Sequence, residues 1–146
     1  MAEVPRYVLD ASVAVKWHLE DEDHAEQALA VLADYESGRI SLLAPSNIRY
    51  EVIGSIRKAA RRNRLRAEDA RGAVEDFLAL RLRTVDSDSL ILLGYDRAVD
   101  YGCTFYDALY VVLAEAAQCP LLLADERLRN NLRNRFPLVL WIEDYL

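Results

Sequence analysis

The stretch TFYDALYVVLAEAAQCPLLLAD, residues 104–125, decides how this chain folds. Residues 104–118 are apolar almost all round at helical spacing, so they predict a helix buried in the interior. Residues 119–125 follow at once as a short apolar run that ends on Asp125, and they predict a buried strand. A buried helix leading straight into a buried strand is the repeating unit of a parallel sheet covered by helices.

The same alternation extends outward in both directions. Upstream, strands are predicted at 7–10, 40–45 and 82–86, the first two as short apolar runs. Helices are predicted at 11–19, 23–38, 46–63, 66–80 and 87–102. Ser46 and Ser87 are placed as N-caps, and Gly38 and Gly102 as stops. Downstream, 126–134 predicts a helix and 136–142 a last strand. The order β-α-α-β-α-α-β-α-α-β-α-β implies a three-layer α/β/α architecture on a mostly parallel sheet of about five strands. No repeat, linker or low-complexity tract divides residues 1–146, so one domain is expected.

Composition narrows the classes of function. No apolar run approaches the roughly 20 residues that span a bilayer, and no membrane association is expected. Residues 1–10 lack a basic region followed by an apolar stretch, so no signal peptide is expected. Cys103 and Cys119 have neither CxxC spacing nor a nearby His, which argues against zinc and for buried thiols in a reducing cytoplasm. The net charge is −6, but it is unevenly spread. Residues 49–83 carry ten of the 18 basic residues against five acids, so this segment is net +5 and the remainder net −11. Such asymmetry suggests a polyanion-facing patch on an acidic body, or more plainly a solvated helix face.

In an open parallel sheet, ligands bind beyond the carboxyl ends of the strands. Asp10 ends the first predicted strand, Asp125 ends the fourth, and Asp107 opens the buried helix. Each also has a plain structural reading. Asp125 fits an N-cap, Asp107 follows Thr104 as in a capping box, and Asp10 can orient a turn. Glu51 is harder to assign to capping, because it sits on one helical face with Ile48, Val52, Ser55 and Ala59. A carboxylate aimed at a core is costly unless it is paired or binds a metal, and no Lys or Arg at helical spacing pairs with it. Four converging carboxylates would repel one another, and a divalent cation relieves this. Hard oxygen donors without His or Cys suit Mg²⁺, with Mn²⁺ as an alternative, and carboxylate-held metal serves phosphodiester cleavage.

Three segments carry a family resemblance: YVLDASVAVKW (7–17), APSNIRYEVIGSIRKA (44–59) and TFYDALYVVLAEAAQCPLLLADERL (104–128). Together they resemble a PIN domain, in particular the VapC toxins of type II toxin–antitoxin systems. The likeness spans essentially the whole chain, and YDALYVVLAE followed by LLADERL is its most specific part. It implies Mg²⁺-dependent endoribonuclease activity, a homodimer, and inhibition by a cognate VapB-type antitoxin. The acidic positions that it implies fall on Asp10, Glu51, Asp107 and Asp125, with Ser12 as the accompanying hydroxyl. Many relatives carry Thr or Ser just before the last acid, where this chain has Ala124. With RNA as the implied substrate, Arg57, Lys58, Arg61 and Arg62 become candidates to hold phosphates, with Arg64 and Arg66 adding to the field.

Two other readings remain. A phosphotransferase of the HAD type also starts with Asp after strand one, but its Asp-x-Asp is broken here by Ser12. A PIN fold acting only as an interaction module is the alternative without catalysis. Val13, Val15 and Trp17 are candidates for a dimerisation or antitoxin surface, or else plain core.

Overall fold

The computed structural model describes residues 3–145. Five strands form one sheet: β1 (Arg6–Leu9), β2 (Ser41–Pro45), β3 (Arg83–Val85), β4 (Leu121–Leu123) and β5 (Val139–Trp141). Seven α-helices accompany them: α1 (Ala11–Val15), α2 (Ala25–Glu36), α3 (Ile48–Arg61), α4 (Ala67–Ala79), α5 (Asp88–Tyr101), α6 (Phe105–Ala117) and α7 (Glu126–Leu132). The order along the chain is the one that the hydrophobic pattern predicts. The sheet is parallel throughout, and its spatial order is β3-β2-β1-β4-β5.

That order places a switch point at β1. The chain leaves β1 for β2 on one side, whereas β4 pairs on the other. Val8 stands opposite Leu121 and Leu9 opposite Leu122, and all four are fully buried. One step further, the Asp10 amide donates to the Leu122 carbonyl at 3.1 Å, so Asp10 sits at the last rung of the ladder. Helix α6 packs on β1 and β2. Residues 108–114 of that helix are all buried, as its all-round apolar sequence predicts. Gly94 lets α5 lie close on α6, since a Cβ there would stand 2.8 Å from Leu109 Cδ2.

The structure corrects several boundaries. Helix α1 stops at Val15 rather than running to 19. The following turn buries Trp17 and Leu19 and directs the Trp17 indole N–H to the Ala28 carbonyl at 2.8 Å. Val13, Val15 and Trp17 are therefore core, not a docking surface. Helix α3 begins at Ile48 with Asn47 at its N-cap, and Ser46 does not cap it. The Ser87 and Gly102 caps stand: Ser87 Oγ accepts the Leu90 N–H, and Gly102 adopts φ 66°. The two histidines are half-buried. His18 meets the Phe77 ring edge-on, and His24 meets Trp141. Among the described residues, no helix is long and apolar enough to cross a membrane.

Candidate active site

Asp10, Glu51, Asp107, Asp125 and Ser12 line one open cavity of about 720 Å³ at the carboxyl ends of β1 and β4. They come from four separate segments of the chain. Asp10 Oδ2 accepts from the Ser12 amide at 3.0 Å and from its hydroxyl at 2.5 Å. Asp125 Oδ1 caps α7 by accepting from the Arg127 and Leu128 amides at 2.9 and 3.2 Å. The Asp107 amide donates to Thr104 Oγ1 at 3.1 Å, which keeps the carboxylate of Asp107 in the first turn of α6.

Ser12 does more than accompany Asp10. Its hydroxyl also accepts the Ala124 N–H at 3.0 Å, tying the end of β1 to the end of β4.

Glu51 receives a partner that sequence reasoning missed. The Tyr110 hydroxyl donates to Glu51 Oε2, and Asn47 Nδ2 donates to the same oxygen at 3.2 Å. Tyr110 is one of the largest fully buried side chains. It follows Asp107 by three residues, the spacing that puts both on one face of α6. That spacing was the available signal, but a tyrosine on an apolar face reads as packing. Tyr110→Phe keeps the packing and removes the donor. It is expected to lower stability by about 1–2 kcal/mol, because a half-buried carboxylate loses a charge-assisted hydrogen bond. Urea unfolding checks this, and an unchanged midpoint would show the bond to be idle.

The electrostatics of the cavity oppose its charge. Burial is the main reason that the Asp10 carboxyl is pushed up to about 7; the Ser12 hydrogen bonds oppose it, and Asp107 and Glu51 add to it. Glu51 is raised mainly by burial, against the Tyr110 hydrogen bond. Asp107 is raised by burial and then by the charge of Asp125. Among the described residues, none of the four forms an ion pair. Four carboxylates and a hydroxyl are hard oxygen donors, a set that fits Mg²⁺ or Mn²⁺. As they stand, no three His, Cys, Asp or Glu side chains among the described residues form a ready metal cage. Three of the carboxylates are already tethered: Asp10 by Ser12, Glu51 by Tyr110 of α6 and by Asn47, and Asp125 by the first amides of α7.

The predicted basic patch divides. Lys58 and Arg62 line the carboxylate cavity, whereas Arg57 and Arg61 line a neighbouring hollow that shares Lys58 and Arg62 with it. All four are exposed, and none is ion-paired among the described residues. Arg64 and Arg66 add less field than expected, since Arg64 pairs with Asp21 and Glu22, and Arg66 with Glu68. A further cation, Lys16, is buried in the cavity wall. It lies four residues after Ser12, but with the end of α1 misplaced its position was not legible.

Known proteins share this arrangement of elements. Residues 7–132 match the family model of the PIN domain. Ribonuclease VapC3 of Pyrobaculum aerophilum is 32% identical over 127 residues, covering 84% of this chain and 92% of that protein. The crystal structure of PAE2754 from Pyrobaculum aerophilum superposes with a TM-score of 0.67 at 21% identity, over 97% of this chain and 93% of that one. VapBC2 from Rickettsia felis, solved bound to a DNA fragment from their promoter, matches with a TM-score of 0.60 at 18% identity, over 93% and 96% of the two chains.

Proposed function

This chain belongs to the PIN domain family, among its VapC ribonucleases, and from that premise we propose that it is a Mg²⁺-dependent endoribonuclease, the toxin of a type II toxin–antitoxin system. The observation that carries the reading is the meeting of Asp10, Glu51, Asp107 and Asp125 in one cavity with no cation among the described residues paired to any of them. In this reading Asp10 and Asp107 are the principal ligands, Glu51 ligates directly or through water, and Asp125 holds a second or weaker ion or positions the water. Bound there, Mg²⁺ or Mn²⁺ supplies a Lewis acid for the scissile phosphate and a hydroxide at neutral pH. Ser12 keeps Asp10 oriented by its two hydrogen bonds, and Tyr110 and Asn47 do the same for Glu51. Cleavage leaves a 3′-hydroxyl and a 5′-phosphate. Incubating purified chain with structured RNA tests this: EDTA should stop cleavage and added Mg²⁺ restore it. Undiminished cleavage in EDTA removes the metal from the proposal.

Arg57, Lys58, Arg61 and Arg62 hold RNA phosphates beside the carboxylates in this reading. Their exposure without acidic partners supports it. Arg61→Ala with Arg62→Ala should weaken RNA binding and shrink the slope of log affinity against log salt by about 1.4, the loss of two phosphate contacts on a single strand. An unchanged slope assigns both arginines to solvent.

A VapB-type antitoxin is the proposed partner, supported by the fold shared with the solved VapBC2. We also propose a homodimer acting in the cytoplasm. The stripe of Leu92, Tyr95 and Val99 left exposed on α5 supports self-association.

A further inference from the structure

Two cations of the cavity wall are already engaged: Glu22 reaches both, and Asp21 holds Arg64 more closely still. Lys16 is buried to 7% exposure, and its Nζ reaches Glu22 Oε1 at 3.5 Å. Arg64, in the turn after α3, donates to Glu22 Oε2 at 3.3 Å and to Asp21 at 2.7 and 3.1 Å. The Glu22 carboxylate thus sits between an ammonium and a guanidinium, one oxygen toward each. As a stabilising device this is weak, because a lysine has left water for a single long contact. As a site it is well formed: two cations from distant segments converge on a two-oxygen anion, the shape that a phosphodiester also presents.

The position of this pair fits a nucleic-acid path. Lys16, Glu22 and Arg64 line the carboxylate cavity and also an adjoining hollow of about 490 Å³, whose wall includes the acids Asp21, Asp23 and Glu126 as well. Trp141 lines that hollow, is 6% exposed, and has a buried indole N–H with no partner among the described residues. We infer that Lys16 and Arg64 form a seat for an RNA phosphodiester flanking the one that is cleaved, and that Glu22 fills this seat in the free protein. The inference rests on the ribonuclease reading above. When RNA enters, its phosphate replaces the Glu22 carboxylate between the two cations, so Glu22 acts as an internal competitor that lowers affinity.

Binding of a short fluorescent single-stranded RNA in EDTA, across a salt series, tests this without any contribution from cleavage. Glu22→Gln keeps one oxygen, enough for one of the two cations, and removes the competing charge; it should tighten binding about 3- to 10-fold. Lys16→Met should weaken binding about 5- to 10-fold and reduce the salt slope by about 0.7. In the Lys16→Met background the gain from Glu22→Gln should shrink, because the seat is already broken. A merely structural ion pair would lower the urea midpoint in all three variants without these opposite shifts in affinity. If the parent binds RNA and Glu22→Gln binds no tighter, the seat is overturned and the ribonuclease reading stands. If the parent binds no RNA in EDTA, the seat is overturned, and the ribonuclease reading falls with it only where added Mg²⁺ brings no cleavage either.

Discussion

Asp10→Asn is expected to slow RNA cleavage at least about 1,000-fold, equivalent to about 4 kcal/mol of lost transition-state stabilisation. The side chain keeps its size, and its remaining oxygen can still accept from the Ser12 amide, so the loss reports charge and ligation rather than collapse of the fold. Asp10 is the most buried of the four acids and sits on the last rung between β1 and β4, so no neighbouring acid can move into its place. Asp107→Asn should show a loss of similar size, since Asp107 faces both Asp10 and Asp125 electrostatically. Single-turnover cleavage of one defined RNA in Mg²⁺ measures both. Rates within about threefold of the parent for both variants would remove the carboxylate cluster from the reaction.

The same substitution should have the opposite effect on stability. The Asp10 carboxyl titrates near 7 in the folded chain against 3.8 when unperturbed. Between those values the folded state holds a proton that the unfolded chain has released, so stability falls as pH rises. The contribution is fully present below 3.8 and is gone above about 7. The full difference corresponds to about 4 kcal/mol. In EDTA at pH 8, Asp10→Asn should therefore be more stable than the parent by about 2–4 kcal/mol, with the gap closing toward pH 4. Glu51 and Asp107 are raised as well and steepen the same trend in the parent. Urea unfolding of both proteins at the two pH values measures this. A gap that is equal at both pH values would mean that Asp10 is not the titrating group. Added Mg²⁺ should restore stability to the parent at pH 8 and do less for the variant, as a ligand that binds only the folded state does. Activity and stability thus trade against each other at one carboxylate.

Much of this was legible in the sequence because periodicity is a local property. The all-round apolar run at 104–118 could only be a buried helix, and Leu121–Leu123 could only be a buried strand. Strand ends follow from the same runs, which is why Asp10 and Asp125 stood out as edge residues. Glu51 stood out because a carboxylate on an apolar face demands a reason. Boundaries failed where tertiary contacts override helical pattern. Trp17 abandons the helix to reach the Ala28 carbonyl, and Asn47 turns its amide toward Glu51 rather than capping α3.

By itself, then, the sequence determined the succession of strands and helices, the kind of sheet and the four acids at its edge. It did so because burial imposes a period of two or 3.6 on neighbouring residues. Only the tertiary structure decided the strand order that brings β1 beside β4, and the partners on which the site depends. Tyr110 meets Glu51 across 59 residues, Ser12 meets Ala124 across 112, and Arg64 meets Asp21 across 43. No local period links residues so far apart; the packing of the sheet and its helices brings them together.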